Sequence, residues 1–175
     1  MELLCKIIGS VCVITGSGYL AMSMNHTMEQ RAIDLRRLYS VLLQLKSEMQ
    51  YMGNTLPECF IRLKEGCCEP FCAWLDKLVV RLEEEDGNIF RTVWLESLDS
   101  LYLNSAFEKK DVEPLRELAD KLGNEDVKAQ LKAIDYVLLH IEQNRKDLEG
   151  EIKERKKVVT SLSIFAGMLV LILLL

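Results

Sequence analysis

Apolar and polar residues divide this chain into three regions. No charged residue occurs at positions 7–24 or 158–175, and each of these stretches is 18 residues long. A helix needs about 17 to 25 predominantly apolar residues to cross a bilayer. The pattern therefore predicts transmembrane helices at residues 4–24 and 158–175, which flank a middle region at residues 25–157.

Each apolar stretch also has a second interpretation. Residues 7–24 could be a cleaved signal peptide, although Lys6 is the only positive charge before them and Glu2 offsets it. Residues 158–175 could form a buried core helix, but their Leu-rich ending would leave a large apolar patch on a soluble protein. A transmembrane helix is the favoured interpretation of both stretches.

In the middle region, apolar residues recur every three or four positions, as they do on one face of an α-helix. One stripe runs from Leu35 to Met52 and another from Val127 to Ile152, and neither contains a proline. We therefore predict an all-α fold, with N- and C-terminal transmembrane helices flanking a cytoplasmic helical bundle. The bundle is predicted to have two long antiparallel helices and three to four shorter ones.

Capping and turn residues mark the predicted helix boundaries. Gly53 and Asn54 end the first long helix, and Thr55-Leu56-Pro57-Glu58 is a capping box that opens the next helix. The predicted starts of the later helices are Glu69-Pro70, Asn88, Asp111 and Asn124. The aromatic residues predicted to lie in the core are Phe71, Trp74, Trp94 and Tyr102.

Lys and Arg residues flank both apolar stretches on the side of the middle region. The predicted topology charges are Arg31, Arg36, Arg37, Lys153, Arg155, Lys156 and Lys157. Since positive charge is enriched in cytoplasmic segments, we predict a cell-membrane protein with a cytoplasmic middle region and both termini outside. Small residues that would let membrane helices pack closely are Gly9, Gly16, Gly18 and Gly167.

The search for catalytic or cofactor-binding motifs gives nothing specific. The sequence has neither a phosphate-binding loop nor a dinucleotide-binding glycine pattern, and its two histidines are far apart. The net charge of −5 argues against nucleic acid as a partner. We therefore predict no enzymatic activity, no cofactor and no metal.

The cysteines of the middle region leave one alternative open. They are Cys59, Cys67, Cys68 and Cys72, four thiols within 14 residues. Small buried side chains are the favoured interpretation, because their spacing does not match paired zinc ligands on a turn. A membrane-anchored metal or thiol redox protein that uses these cysteines is the alternative.

Two segments are candidate docking sites for a partner protein. Glu83, Glu84, Glu85 and Asp86 form an acidic run at a predicted helix C-terminus, where negative charge opposes the helix dipole. The run is either a solvated helix end or a docking patch for a basic surface. The loop with Asn54, Thr55 and Glu58 is the second candidate. Asp126 is predicted to be a first-turn acid without a docking role.

Several short motifs follow one another in a specific order and spacing, and their residues are Glu48, Tyr51, Thr55, Leu56, Pro57, Glu58, Trp94, Leu122, Gly123, Asp126, Gln130 and Gly167. Together these motifs resemble the stage III sporulation protein AB family of endospore-forming bacteria. The family often has an aromatic residue and a glycine where this chain has Val159 and Ser163.

The resemblance implies a non-enzymatic membrane component of a secretion-like channel complex between mother cell and forespore. The family is similar to the inner-membrane platform protein of type II secretion. Its implied partners are a cytoplasmic secretion-type ATPase and other membrane components of the sporulation channel. A membrane scaffold with no machine partner is a further alternative.

Overall fold

The chain is helical throughout most of the part that a computed structural model describes, residues 26–84, 90–124 and 126–174. Helix α1 covers residues 26–47 and continues into a π-helical turn at Glu48–Met52. The later helices are α2 (Leu56–Lys64), α3 (Phe71–Glu84), α4 (Phe90–Asn104), α5 (Lys109–Asn124) and α6 (Val127–Leu174). The described residues contain no strand, so the predicted all-α fold is confirmed.

The chain separates into two units. Arg31–Lys146 form one, called here the bundle unit, and Met1–Gln30 with Asp147–Leu175 form the other, called the end unit. In the described part of the end unit, Lys156 Nζ lies 3.0 Å from a carboxylate oxygen of Glu29. This ion pair brings the two chain segments of the end unit together.

Leucine stripes from α1 and the other helices build the core of the bundle unit. Leu35, Leu38 and Leu42 are fully buried, as the three- and four-residue spacing predicts. Ile134 and Ile141 of α6 are also buried. The two long apolar stripes therefore face the core in these stretches.

Aromatic side chains fill the centre of the bundle unit between α2, α3 and α4. The ring centroids of Trp74 and Trp94 lie 5.5 Å apart in an edge-to-face contact, and Phe60 and Phe90 also lie beside Trp94. Edge-to-face and tilted contacts suit the quadrupoles of such rings. Phe71, Trp74 and Trp94 are buried as predicted, whereas Tyr102 is only half-buried.

Both indole N–H groups in this core have hydrogen-bond acceptors. Trp94 Nε1 donates to the carbonyl oxygen of Leu115 at 2.8 Å, which links α4 to α5. Trp74 Nε1 donates to the hydroxyl oxygen of Ser97 at 3.2 Å, and that hydroxyl donates to the carbonyl of Trp94. Buried polar groups are stabilising only when paired, so these bonds fix how α3, α4 and α5 pack.

Helix ends follow the predicted local signals in part. Gly53 ends the π-helical turn with φ of 63°, a left-handed conformation that glycine adopts without a Cβ clash. Thr55 precedes α2 and forms the predicted capping box with Glu58. Helix α5 begins at Lys109, slightly before the predicted Asp111.

The predicted cap of the last helix is wrong. Asn124 is the last residue of α5, and Asp126 is the residue that precedes α6. Asp126 Oδ1 accepts the backbone N–H of Ala129 at 2.8 Å, the bond expected of an N-cap aspartate. Asp126 is therefore the capping residue itself and not a first-turn acid.

Within the described residues, no helix combines the length and apolar character that a membrane crossing requires. The predicted span at 158–175 therefore has no support there. Charged residues of α6 continue up to Lys157. Of the apolar run that follows, the structure describes the side chains of the first part only. The predicted span at 4–24, with Gly9, Gly16 and Gly18, lies outside the described residues. Gly167 lies within α6, and its predicted role in membrane packing stays a prediction.

Candidate functional site

The predicted docking loop at the start of α2 is a well-bonded helix cap. The backbone N–H and the hydroxyl of Thr55 donate to one carboxylate oxygen of Glu58, at 2.8 and 2.9 Å. Asn54 Nδ2 donates to a carboxylate oxygen of Glu48 at 2.9 Å. These bonds fix the loop, and the hydrogen bonds from Thr55 lower the pKa of the exposed Glu58 carboxyl below its usual value. Glu58 thus presents a fixed negative charge at neutral pH.

Two large apolar side chains lie directly before this loop, on the π-helical turn. Tyr51 is 76% exposed and Met52 is 64% exposed. The predicted stripe placed Met52 in the core, which is wrong, because a π-helical turn breaks the 3.6-residue phase of an α-helix. Tyrosine and methionine are enriched in protein interfaces, so Tyr51, Met52 and Glu58 together form a candidate interaction surface, named here the α1–α2 corner.

The acidic run lies at the other predicted docking position. Glu83 is exposed in the last turn of α3, and Glu84 is the last residue of that helix. Glu85 and Asp86 lie outside the described residues. The structure therefore places the beginning of the run at a helix C-terminus, as predicted, without assigning it a role.

The predicted topology charges fall into different environments. Arg36 is exposed, and so are Lys153, Arg155 and Lys157 of α6. Arg37 donates from Nη1 to the carbonyl of Glu69 at 3.2 Å, and Lys156 pairs with Glu29. Arg31 differs from all of these because it is 4% exposed. Arg31, predicted as a topology charge, is thus a buried residue of the bundle unit.

Arg31 instead forms a bidentate ion pair in the interior of the bundle unit. Its Nε and Nη2 donate to the two carboxylate oxygens of Asp111 at 2.7 and 2.9 Å. Its Nη1 lies 2.7 Å from a carboxylate oxygen of Glu108. A bidentate arginine–carboxylate pair has fixed geometry as well as charge, so α1 and the start of α5 have a defined alignment here.

Asp111 is the centre of this buried network. Besides the two bonds from Arg31, its carboxylate accepts the backbone N–H of Glu108 at 2.9 Å and Asn144 Nδ2 at 3.0 Å. The Asp111 side chain is fully buried, yet both of its oxygens are hydrogen-bonded. The charge of Asp111 is thereby compensated by groups from α1 and α6.

Pro114 explains a second bond of Asn144. Proline has no N–H, so Pro114 cannot donate to the carbonyl of Lys110 one turn earlier in α5. Asn144 Nδ2 donates to that carbonyl at 3.3 Å. The amide of Asn144 therefore connects α6 to the position in α5 where the helix lacks its own donor.

Sequence analysis missed this network, although a signal was present. Arg31 lies one turn before Leu35, and Asp111 lies one turn before Leu115, so each is in phase with an apolar stripe. Arg145 lies between Ile141 and Leu148 in phase with the α6 stripe, but it pairs with Glu142, and the neighbouring Asn144 donates to Asp111. Polar residues in phase with two different stripes can pair only if the stripes meet in space.

The cysteines differ from the predicted set of small buried side chains. Cys59 is buried, and burial raises the pKa of its thiol to about 11. Cys67 and Cys72 form a disulfide, and Cys68 is a free, exposed thiol. The prediction is confirmed for Cys59 and wrong for the other three, because Cys68 is exposed and Cys67 in the α2–α3 loop is bonded to Cys72 in the first turn of α3.

The described part of the chain has a surface groove but no metal-binding cluster. No group of three or more His, Cys, Asp or Glu residues is arranged there to hold a metal ion. A shallow groove of about 460 Å³ lies between the start of α3 and the end of α4. The residues that line this groove are Glu69, Pro70, Ala73, Trp74, Ser100, Leu101 and Asn104.

Comparisons with known proteins agree with one another. The family model of stage III sporulation protein AB matches residues 6–175. Stage III sporulation protein AB from Bacillus subtilis (strain 168) is 25% identical over 173 residues, which are 97% of this chain and 98% of the relative. A solved structure of stage III sporulation protein AB is similar in fold, with a TM-score of 0.64 and 22% identity. It covers 71% of this chain and 97% of its own.

Proposed function

Because the chain belongs to the stage III sporulation protein AB family, we propose that it is a non-enzymatic membrane platform in a secretion-like sporulation complex. In this proposal its helical bundle docks a cytoplasmic secretion-type ATPase. The observation that carries the docking role is the α1–α2 corner, where the exposed Tyr51 and Met52 precede the ionised Glu58 by a few residues.

The backbone of the α1–α2 corner is preformed by hydrogen bonds, which favours a role in binding. The capping bonds of Thr55 and the bond between Asn54 and Glu48 join the π-helical turn to the start of α2. A preformed surface loses little conformational entropy when a partner binds. An apolar pair next to a fixed carboxylate suits a partner surface with an apolar pocket and a basic rim.

A co-purification experiment tests the docking role. The full chain is produced with the secretion-type ATPase of the same cell, and the retained ATPase is measured for each variant. The double variant Tyr51→Ser, Met52→Ser removes apolar area from an exposed position, so it should reduce retention without unfolding the bundle. Unchanged retention would remove the α1–α2 corner from the proposal.

The acidic run is tested with a charge-matched pair of variants. Glu83→Lys, Glu84→Lys changes the run, and Glu113→Lys, Glu117→Lys makes the same change in charge on the exposed face of α5. Loss of the ATPase with the first pair alone would support docking at the run. Equal loss with both pairs would mean that only net charge matters, and no loss would exclude the run.

Membrane attachment is part of the same proposal. Its support is the uncharged run 158–175 in the sequence, together with exposed apolar side chains such as Leu162, Ile164 and Phe165. Side chains of this kind on a helix surface need an apolar environment. The proposed arrangement has both ends in the cell membrane, the middle region in the cytoplasm and both termini outside.

Cys68 is a natural reporter of this topology. Its thiol is exposed and free, so a membrane-impermeant maleimide should label it only after cells are lysed. The variant Cys68→Ser is the control that subtracts labelling of Cys5 and Cys12. Labelling of Cys68 in intact cells would place the middle region outside and contradict docking of a cytoplasmic ATPase.

A further inference from the structure

Three of the cysteines lie close together in the chain, Cys67 and Cys68 in the connection between α2 and α3 and Cys72 in the first turn of α3. Cys67 and Cys72 are joined by a disulfide, with their Cα atoms 5.4 Å apart. Cys68, the residue next to Cys67, carries a free and exposed thiol. A free and exposed thiol therefore lies next in sequence to a disulfide-bonded cysteine, and neither the platform nor the docking role uses it.

The backbone of the loop also places Cys68 close to Cys72. The carbonyl of Cys68 accepts the N–H of Phe71 at 2.9 Å and the N–H of Cys72 at 3.3 Å. The second of these bonds closes an α-turn from Cys68 to Cys72, which brings the two ends of the turn together. Disulfides join residues with Cα distances of about 4.4–6.8 Å, so the closed turn favours a Cys68–Cys72 bond as an alternative to the Cys67–Cys72 bond.

Cys59, the other cysteine of the bundle unit, cannot take part. It is fully buried, and its raised pKa of about 11 keeps the thiol protonated at neutral pH. Only the thiolate attacks a disulfide. Exposure and position thus single out Cys68 as the attacking group.

We propose that the Cys68 thiol exchanges with the Cys67–Cys72 disulfide, so that the loop alternates between Cys67–Cys72 and Cys68–Cys72 bonds. The Cys68 thiolate attacks Sγ of Cys72, the bond to Sγ of Cys67 breaks, and Cys67 leaves as a thiolate. Cys68 has lost one proton and Cys67 gains one. No electrons are gained or lost overall, so the step needs neither an oxidant nor a reductant.

The two disulfides hold the loop differently. The Cys67–Cys72 bond ties the segment that follows α2 to the first turn of α3. A Cys68–Cys72 bond would lie within one turn and release residue 67 from α3. Glu69 and Pro70 of the same loop line the groove beside α4, so the exchange alters one wall of that groove. The site is thereby a candidate for reaction with small thiol compounds, which attack the same sulfur atoms.

Differential alkylation of the purified full chain in detergent tests the exchange. Free thiols are labelled with N-ethylmaleimide, and the remaining cysteines are then reduced and labelled with iodoacetamide. Trypsin releases residues 65–77, which contain all three loop cysteines, and fragmentation of this peptide locates each label. Cys59 lies in a different tryptic peptide, and its lack of maleimide label verifies that the bundle stays folded.

Each peptide should carry one maleimide, both directly after preparation at acidic pH and after incubation at alkaline pH. At acidic pH the label should lie on Cys68. After alkaline incubation it should lie on Cys68 in some peptides and on Cys67 in the others. The exchange should be faster at alkaline than at acidic pH, because the thiolate is the attacking form. A maleimide that stays on Cys68 alone, or three maleimides on one peptide, would overturn the proposal.

Two single variants make the test independent of the equilibrium between the two bonds. With oxidised glutathione as the oxidant, Cys67→Ser should form the Cys68–Cys72 disulfide and leave no maleimide label in the peptide. Cys68→Ser should keep the Cys67–Cys72 disulfide and show no change with time. Free thiols at both Cys68 and Cys72 in the oxidised Cys67→Ser variant would show that the second bond cannot form.

Discussion

Two stretches of the same helix, α6, behave in opposite ways. In the bundle unit, Ile134, Val137 and Ile141 are 0–1% exposed. In the end unit, Leu162 and Ile164 of the same helix are 62% and 61% exposed. The backbone conformation is the same, so the difference lies in what surrounds each stretch.

The comparison separates two sources of helix stability. The bundle stretch of α6 is held by burial and by the bonds of Gln130 and Asn144 to α5. The described part of the end stretch has hydroxyl bonds to its own backbone, as from Ser163 to Val159, and the ion pair of Lys156 with Glu29. Exposed ion pairs contribute only about 0–1 kcal/mol. The stability of the end stretch therefore depends on what surrounds its apolar side chains.

Removal of the Asp111 carboxylate is expected to have the largest effect on stability. Asp111→Ala leaves Arg31 charged and buried without its main partner, which should cost about 3–5 kcal/mol in the free energy of unfolding. Chemical denaturation of the full chain in detergent measures this cost. Asp120→Ala removes the exposed pair with Arg91 and should cost at most about 1 kcal/mol. Equal losses for the two variants would contradict the role of the buried network.

Matched truncations on the two stretches of α6 address the comparison directly. Ile141→Ala should destabilise the bundle by about 2–5 kcal/mol, because it leaves a cavity in the core. Ile164→Ala removes the same atoms from an exposed position and should change stability by about 0.5 kcal/mol or less. The free energy of unfolding in detergent distinguishes the two, and similar values would mean that the end stretch is also packed.

Loss of the α6 cap should have a smaller effect. Asp126→Ala removes the acceptor for the N–H of Ala129 and should cost about 1 kcal/mol. Asn124→Ala is the control, since Asn124 ends α5 and does not precede α6. Thermal unfolding measures the stability of both variants. A larger loss of stability in Asn124→Ala than in Asp126→Ala would contradict the assignment of Asp126 as the cap.

The smallest expected effect is the pH dependence of the α2 cap. Hydrogen bonds from Thr55 lower the pKa of Glu58 in the folded chain below its usual 4.5. The contribution of Glu58 to stability is therefore complete above about pH 4.5 and is lost as the pH falls through the lower, folded pKa. Glu58→Gln should remove this part of the acid dependence in pH-resolved denaturation, and an unchanged profile would contradict the assignment.

Local signals predicted much of the helical plan. The stripe from Leu35 to Leu45 is buried as expected, because three- and four-residue spacing alone puts side chains on one helix face. The capping box of Thr55 and Glu58 is equally local, since its bonds join residues three apart. The all-α fold follows from such features without any knowledge of which helices meet.

Contacts between distant residues decided the rest. Arg31 and Asp111 are 80 residues apart, so no spacing rule joins them, and a charge expected at the surface became part of the interior. The π-helical turn at Glu48–Met52 changed the phase of a correct stripe and exposed Tyr51 and Met52. Cys72 is bonded to Cys67 and not to Cys68, and this choice depends on the path of the loop between α2 and α3. The sequence by itself determined which faces are apolar and where helices are capped, because both depend on neighbours within one or two turns. Only the tertiary structure decided which polar groups are buried together, because that depends on how separate helices pack.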